Sequence, residues 1–540
     1  MTLNKGQLLL LLALIIGAAL RIPGWFTEEE MRRYRLYEVD EEQHMSISMK
    51  RYNEFKGGLK DTIQHDFHDG DYNVRGYGHL TAAVAFVWNQ YTQMTPRFPD
   101  MLKLGRQLST FFALLLIVVV YRMGLRSGLD PPFAGVAALL MACCDVNATY
   151  AHYMLPASGY VLFAWTAMLG GVRLLHGPSW RALILLAFGA SGAIAFKFDV
   201  FPMVWGGLLL IVLTLRGGGK EKPAHLGLPW PYLVVGSLLI PAILYVWWLG
   251  WTWEEIVHSF EALRLVNGDT IAREDHWRDN LITYPFGVLA GIGLPAFGLA
   301  AWTMVGVIRR RFRESDTFWT VKNLTAAYIF AYLFTEFFLR WSMDTTFIRR
   351  VNVFMPAVAL LAAYGLQRLK AGPWLVTAVI AWSFGLALVG QSNHWFDNRM
   401  EMREWANKEL PKPKKVGITA YALIRNLDNW TYYLDADWDY LITHESYFRR
   451  FTHRSMTTPF GTPECCWMVH HCGDEDRCED VQSMHLGTHK GVRLIKRFRP
   501  RDYFPERLIY RHFFGYYETF LGDIEVYERI APPENERTTS

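Results

Sequence analysis

Residues 34–55 read YRLYEVDEEQHMSISMKRYNEF and lie between the first apolar stretch of the chain and the next. Asp40, Glu41, Glu42 and His44 cluster near its start, and Met45, Met49 and Tyr52 follow at helical spacing. On a helix, Asp40 and His44 are four apart and Glu41 and His44 three apart, so they share a face. The apolar side would lie along a membrane surface. A helix so placed holds carboxylates over a cavity that opens at the end of a helical bundle. The competing reading is a solvated loop whose charges do nothing.

The rest of the chain says which setting this helix has. Of 540 residues, 51% are hydrophobic and 15% aromatic, and the 21 tryptophans suit interfacial belts. Apolar blocks near 7–23, 105–122, 133–148, 158–175, 181–196, 198–215, 231–250, 284–308, 320–340, 350–369 and 373–392 predict about eleven spans. After Asn393 the chain turns polar for roughly 150 residues, a normal size for one domain. The expected organisation is a transmembrane domain over 1–392 and a soluble α/β domain over 393–540.

Charge sets the orientation. YRMGLRSG, VRLLHGPSWR, LRGGGKEK, IRRRFRES and LQRLKAG are short connections rich in arginine and lysine, so they belong on the cytoplasmic side. The 24–104 loop, the 149–157 turn, the 251–283 loop and the tail then face outward. The N-terminal stretch reads as an uncleaved first span rather than a signal peptide, because that keeps the alternation consistent. The net charge of +4 adds little, and no nucleic-acid partner is expected. Cys465, Cys466, Cys472 and Cys478 lie close together in the outward tail and read as one or two disulfides. Zinc is the rival, since His470 and His471 are adjacent, but the spacing fits no standard zinc motif.

Several ionisable residues fall at the outer ends of spans. Asp145 lies near the end of the third, where a charge is costly and functional by default. Lys197 and Asp199 sit in the tight turn between two apolar blocks, as a ligand site or a self-satisfying pair. Arg349 and Arg350 lie on the side that the charge rule disfavours, where a phosphate or a lipid headgroup would answer them. A carboxylate can take a proton from an attacking hydroxyl, and cations can neutralise a departing phosphate. A lipid-linked phosphosugar supplies both electrophile and leaving group.

In this order of features the sequence resembles the GT-C glycosyltransferases, in the branch of the protein O-mannosyltransferases and the lipid A aminoarabinose transferase. The segments that carry the resemblance are VDEEQHMSISMKRY, ATYAHYMLPASGYVLFAWTAMLGG, GAIAFKFDVFPMVWGGLLLI, the 258–300 loop and span, and FIRRVNVFMPAVALLAAYGL. DWDYLITHESYFRRF and GDIEVYERI resemble strands of the family's extracytoplasmic domain. The resemblance implies a GT-C fold and an inverting transfer from a polyprenyl-phosphate sugar on the outer face of the membrane. It implies Asp40 as general base, Glu41 as its supporting neighbour, and Asp145 and His44 as looser contacts. Lys197 and Arg349 would hold the donor phosphate, with Arg350 the alternative to Arg349. The acceptor could be a protein, a lipid or a glycan. No cofactor is required, although the stretch His65, Asp66, His68, Asp69 and Asp71 leaves room for a divalent metal. An oligosaccharyltransferase-like use of a lipid diphosphate and a lipid or glycan transporter remain as alternatives. DADWDYLIT is a poor match to the former's tryptophan-rich motif, and no internal repeat favours the latter.

Overall fold

The structure, a computed structural model, describes residues 4–22, 40–57, 75–93, 95–197, 199–215, 227–248, 276–311, 321–341, 348–411, 415–419, 422, 430–432, 438–445, 483–514 and 521–530. The disulfide expectation for Cys465, Cys466, Cys472 and Cys478 and the metal expectation for 65–71 both lie outside the described residues.

The described chain is mostly helical. Helix α1 (Lys5–Arg21) leads, after a gap, to α2 (Asp40–Gly57) and α3 (Arg75–Thr92). Then come α4 (Phe98–Arg126), α5 (Pro131–Ala142), α6 (Asp145–Ala151), α7 (Ala157–His176), α8 (Trp180–Lys197) and α9 (Phe201–Leu215). Next are α10 (Trp230–Trp248), α11 (His276–Ile292), α12 (Leu294–Arg311) and α13 (Val321–Trp341). A 3-10 turn (Ile348–Val353) precedes α14 (Met355–Arg368), and α15 (Pro373–Trp395) and α16 (Asn398–Glu409) follow.

Among the described residues four helical runs are long and apolar enough to cross a membrane: Phe98–Arg126, Ala157–His176, Trp180–Lys197 and Pro373–Glu409. The bent pair α5 and α6 would make a fifth, and four shorter apolar helices accompany them. Length and apolarity alone therefore do not reach the expected eleven. The outward faces are those of an integral membrane protein: Leu8, Leu11, Leu12 and Ile15 on α1, and Phe330, Phe334 and Phe338 on α13, are exposed at helical spacing.

Two expected spans are broken rods. The 133–148 block bends by 57° between α5 and α6. The 284–308 block breaks at Gly293, whose φ of +88° is open to glycine and costly for other residues. Each break exposes backbone groups that lipid cannot satisfy, so each must find a partner inside the protein.

Small residues let α7 and α8 pack backbone against backbone. A methyl added at Gly189 would fall on the Ala167 nitrogen, and one at Gly170 on the Leu186 nitrogen. In a membrane, where apolar surfaces gain little from leaving lipid, such close approach supplies the packing that holds helices together.

A five-stranded sheet closes the chain, in the order β2 (Trp430–Tyr432), β1 (Val416–Ile418), β3 (Tyr440–His444), β5 (Ile524–Arg529), β4 (Val492–Phe498). β1 is parallel to β2 and β3, and β5 is antiparallel to β3 and β4. Met402, Ala406, Val416, Ile418, Ile442, Ile524 and Val526 form a core of their own beneath it. Helix α17 (Pro505–Phe514) lies between β4 and β5 in sequence and packs on α11. Inside the sheet Glu525 is buried. Desolvation raises its carboxyl, but the His485 contact, the Tyr527 hydroxyl and Arg497 together hold it below the ordinary glutamate range.

Gly189→Ala is expected to cost ~1–3 kcal/mol through overpacking against α7, read as a lower melting temperature in detergent. Gly207→Ala, which opens onto free space in a helix, is expected to leave stability unchanged or raise it slightly.

Candidate functional site

The site grows from the acidic start of α2. Asp40 is its first residue. Glu41, the next, is fully buried and grips Arg106 of α4 with both oxygens, accepting from Nε at 2.9 Å and from Nη2 at 2.8 Å. Its Oε1 also accepts the Met154 backbone N–H at 2.8 Å. A bidentate pair between planar groups fixes rotation as well as distance. Glu41 thereby sets the azimuth of α2 and with it the place of Asp40, and the whole of its carboxylate is engaged in doing so.

The other end of the corner is basic. Lys197 is the last residue of α8, half-buried, with Nζ 5.1 Å from the centre of the Tyr160 ring. His44 and Phe196 flank Tyr77 of α3 edge-on, with centroids 6.2 and 6.0 Å from its ring. Tyr77 is anchored by its hydroxyl, which donates to the Gly105 carbonyl at 2.6 Å and lies 3.0 Å from the Ser109 hydroxyl. One tyrosine thus joins the helix that starts at Asp40 to the helix that ends at Lys197. Asp199, two residues on, accepts the Phe201 N–H at 3.2 Å and the Tyr332 hydroxyl at 3.2 Å, so it starts α9 and ties it to α13.

Asp145 does something else. It opens α6, fully buried, where a carboxylate suits a helix N-terminus. Arg507 of α17 forms an ion pair with it, and Gln391 of α15 donates to it at 2.8 Å. Arg507 also donates from Nε to Asp502 at 3.0 Å. Gly390 leaves the space through which the pair meets, since a methyl there would strike both Asp145 and Arg507. The neighbouring Glu506 satisfies the other break: its Oε1 accepts the Leu294 N–H at 2.8 Å and the Trp382 indole N–H at 2.6 Å. Two adjacent residues of α17 therefore serve both interrupted helical runs. Asp145 is an anchor for that helix, and its carboxylate is committed to Arg507 and Gln391.

Arg349 and Arg350 are the second and third residues of the 3-10 turn, of which the backbone is described. Its far end is pinned: the Trp165 indole donates to the Val353 carbonyl at 2.9 Å, and Asn147 donates to the Asn352 side chain at 3.2 Å. Asn147 in turn accepts from Arg21 at 2.9 Å. Arg21 is fully buried at the end of α1 and also donates to the Ala142 carbonyl at 3.0 Å. The sequon asparagine Asn147 is thus a buried strut. These arginines therefore lie at the same end of the bundle as α6.

Sequence reasoning missed Arg21, Arg106, Gln391 and Arg507, and it passed over the buried Glu336 of α13. Arg21, Arg106 and the buried Glu336 are ionisable residues in or beside apolar blocks, and the rule that singled out Asp145 would have found them. Arg507 carried no such signal. Among the described residues no three His, Cys, Asp or Glu side chains converge as a metal cage.

No protein-family model and no curated protein matches the sequence. Among solved structures, the chain is similar to the Archaeoglobus fulgidus oligosaccharyltransferase tethered with an acceptor peptide containing the NVT sequon. The identity is 13% and the TM-score 0.46, over 77% of this chain and 62% of that one, so it spans under two thirds of that relative's length. It is similar to the oligosaccharyltransferase AglB from the same archaeon, in complex with an inhibitory peptide and a dolichol-phosphate, at 11% identity and TM-score 0.47, over 97% and 88%. It is similar to ArnT from Cupriavidus metallidurans bound to undecaprenyl phosphate at 14% and 0.46, over 76% and 82%. Both kinds of enzyme are members of the GT-C superfamily that the sequence resembles. A likeness this distant carries over neither ligand nor activity.

Glu41→Ala leaves Arg106 buried without its partner and is expected to destabilise by ~3–5 kcal/mol. Arg106→Leu on that background is expected to recover most of the loss, read as a melting temperature near wild type. Additive losses in the two-residue cycle would contradict the coupling.

Proposed function

We propose that the chain is a membrane glycosyltransferase that moves a sugar from a polyprenyl-phosphate donor to an acceptor hydroxyl on the outer face. The observation that carries this reading is the Glu41–Arg106 lock beside Tyr77. It fixes the start of α2, the helix that Asp40 opens, while Tyr77 links that helix to the one ending at Lys197. An acid on one of these helices and a cation on the other suit a reaction that takes up a proton and releases a phosphate.

In this reading Asp40 accepts the proton of the acceptor hydroxyl. The acceptor oxygen forms a bond to the anomeric carbon as the bond from that carbon to the phosphate oxygen breaks, with inversion. The electron pair leaves with the polyprenyl phosphate, whose charge Lys197 and Arg349 or Arg350 neutralise. Glu41 is a positioning residue and does not share the proton. His44 supports Tyr77 from the α2 side. Asp145 holds the sheet domain over the bundle through Arg507. The chain would cross the membrane about eleven times, with the 24–104 loop and the 393–540 domain on the outer side.

Asp40→Asn keeps size and shape and removes the base. Transfer from a panel of polyprenyl-phosphate hexoses and pentoses is expected to fall by about 10²–10⁴-fold, with an unchanged melting temperature. Transfer at the wild-type rate would overturn the base assignment.

A further inference from the structure

The basic connections assigned to the opposite membrane face do more than set orientation. Arg126 at the end of α4, Arg173 and His176 at the end of α7, and Pro178, Ser179 and Arg181 at the start of α8 line an open cavity of about 430 Å³. Arg122 stands close enough to act on Arg173 as a like charge, as does Arg126. None of the lining residues is acidic. Among the described residues none of these four arginines has a salt bridge, and the buried Nε of Arg173 has no hydrogen-bond partner.

The bland explanation is that cations answer helix C-termini. It accounts for Arg126 on α4 and for Arg173 or His176 on α7. His176 also lies 2.8 Å from the Arg126 carbonyl oxygen, as a cap would. It leaves Arg122 and Arg181 without a role. It also leaves like charges crowded around one opening, which is unfavourable unless an anion sits among them. Arg181 stands in the first turn of α8, where the positive end of the helix repels a cation and attracts an anion. Ser179 caps that turn, its carbonyl accepting from Ala182 and Leu183 at 3.0 Å each.

Position says which anion. The 20 residue steps from Arg106 to Arg126 of α4 rise about 30 Å at 1.5 Å each, which is the thickness of the hydrocarbon core. The cavity therefore lies at the membrane surface opposite the Glu41 corner. Next to it Trp180 stacks on Tyr232 with centroids 4.4 Å apart, and Trp180 is half exposed. Aromatic rings with polar edges settle at headgroup level.

We infer that this cavity binds the phosphate of an anionic phospholipid from the leaflet opposite the proposed donor site. The inference depends on the membrane reading of the bundle and not on glycosyl transfer, so it can fail or stand independently of the proposed function. Arg126, Arg173 and Arg181 would contact the phosphate, and Trp180 with Tyr232 would rest against the glycerol and upper acyl region.

The test is native mass spectrometry of the full chain in detergent, with phosphatidylglycerol or phosphatidylcholine added. Wild type is expected to retain phosphatidylglycerol in preference. Each arginine at a membrane surface contributes about fivefold, so Arg173→Gln with Arg181→Gln is expected to weaken phosphatidylglycerol on the order of twentyfold. Arg309→Gln with Lys370→Gln removes the same charge elsewhere and is expected to change it little. Equal loss in both double variants would show diffuse surface attraction and overturn the site. Melting temperatures distinguish lost binding from lost folding. If the pocket variant unfolds, Arg181→Gln alone, on an exposed side chain, decides by the same ratio. Stabilisation of wild type by inorganic phosphate, without preference between the lipids, would make the occupant a soluble anion and overturn the lipid assignment.

Discussion

The ion pair between Asp145 and Arg507 joins residues 362 apart in the chain, and both are buried. Much of the architecture answers to it. A carboxylate and a guanidinium taken out of water are tolerable only when geometry is good and further hydrogen bonds fill the remaining positions. Gln391 and Asp502 supply those bonds, and Gly390 supplies the room. The pair sits where the third apolar block bends, so the costly group and the broken backbone are handled together. One residue earlier on α17, Glu506 does the same for the break at Gly293. The sheet domain thus supplies the side chains that satisfy two interrupted helical runs.

This dependence orders the corner where chemistry is proposed. Helix α6 leads through a turn to Met154, whose N–H holds Glu41. On its other side α6 reaches through Asn147 to Asn352, in the turn that begins at Ile348 and carries Arg349 and Arg350. Arg507 is thus connected through Asp145 and α6 to polar contacts on both sides of the corner.

Most of the helical blocks were legible in the sequence as apolar runs, although among the described residues length and apolarity alone did not reach eleven spans. DWDYLITHESYFRRF and GDIEVYERI read as strands, and their segments pair as β3 and β5. The interruptions were not legible. ACCDVNATY and AGIGLPAF lie within blocks apolar enough to read as single spans, and what satisfies each break is a side chain from the distant tail. Local sequence holds no trace of a partner more than 200 residues away. At the corner, Asp40, Glu41 and Lys197 stood out as charges beside apolar blocks. That Glu41 is fully spent on Arg106 could not be read, because a pattern of residue types does not say which of two adjacent carboxylates faces inward. Asp145 was legible as a costly buried charge, and burial alone does not separate an anchor from a ligand contact.

The central claim is that the corner between α2 and α8 receives a lipid monophosphate. Native mass spectrometry of the purified chain with added polyprenyl monophosphate tests it most directly, with Lys197→Ala and Arg349→Ala beside wild type. The account predicts a one-to-one lipid adduct on wild type that weakens in both variants while the melting temperature holds. A folded protein that binds no polyprenyl monophosphate, or an adduct indifferent to both substitutions, would contradict it.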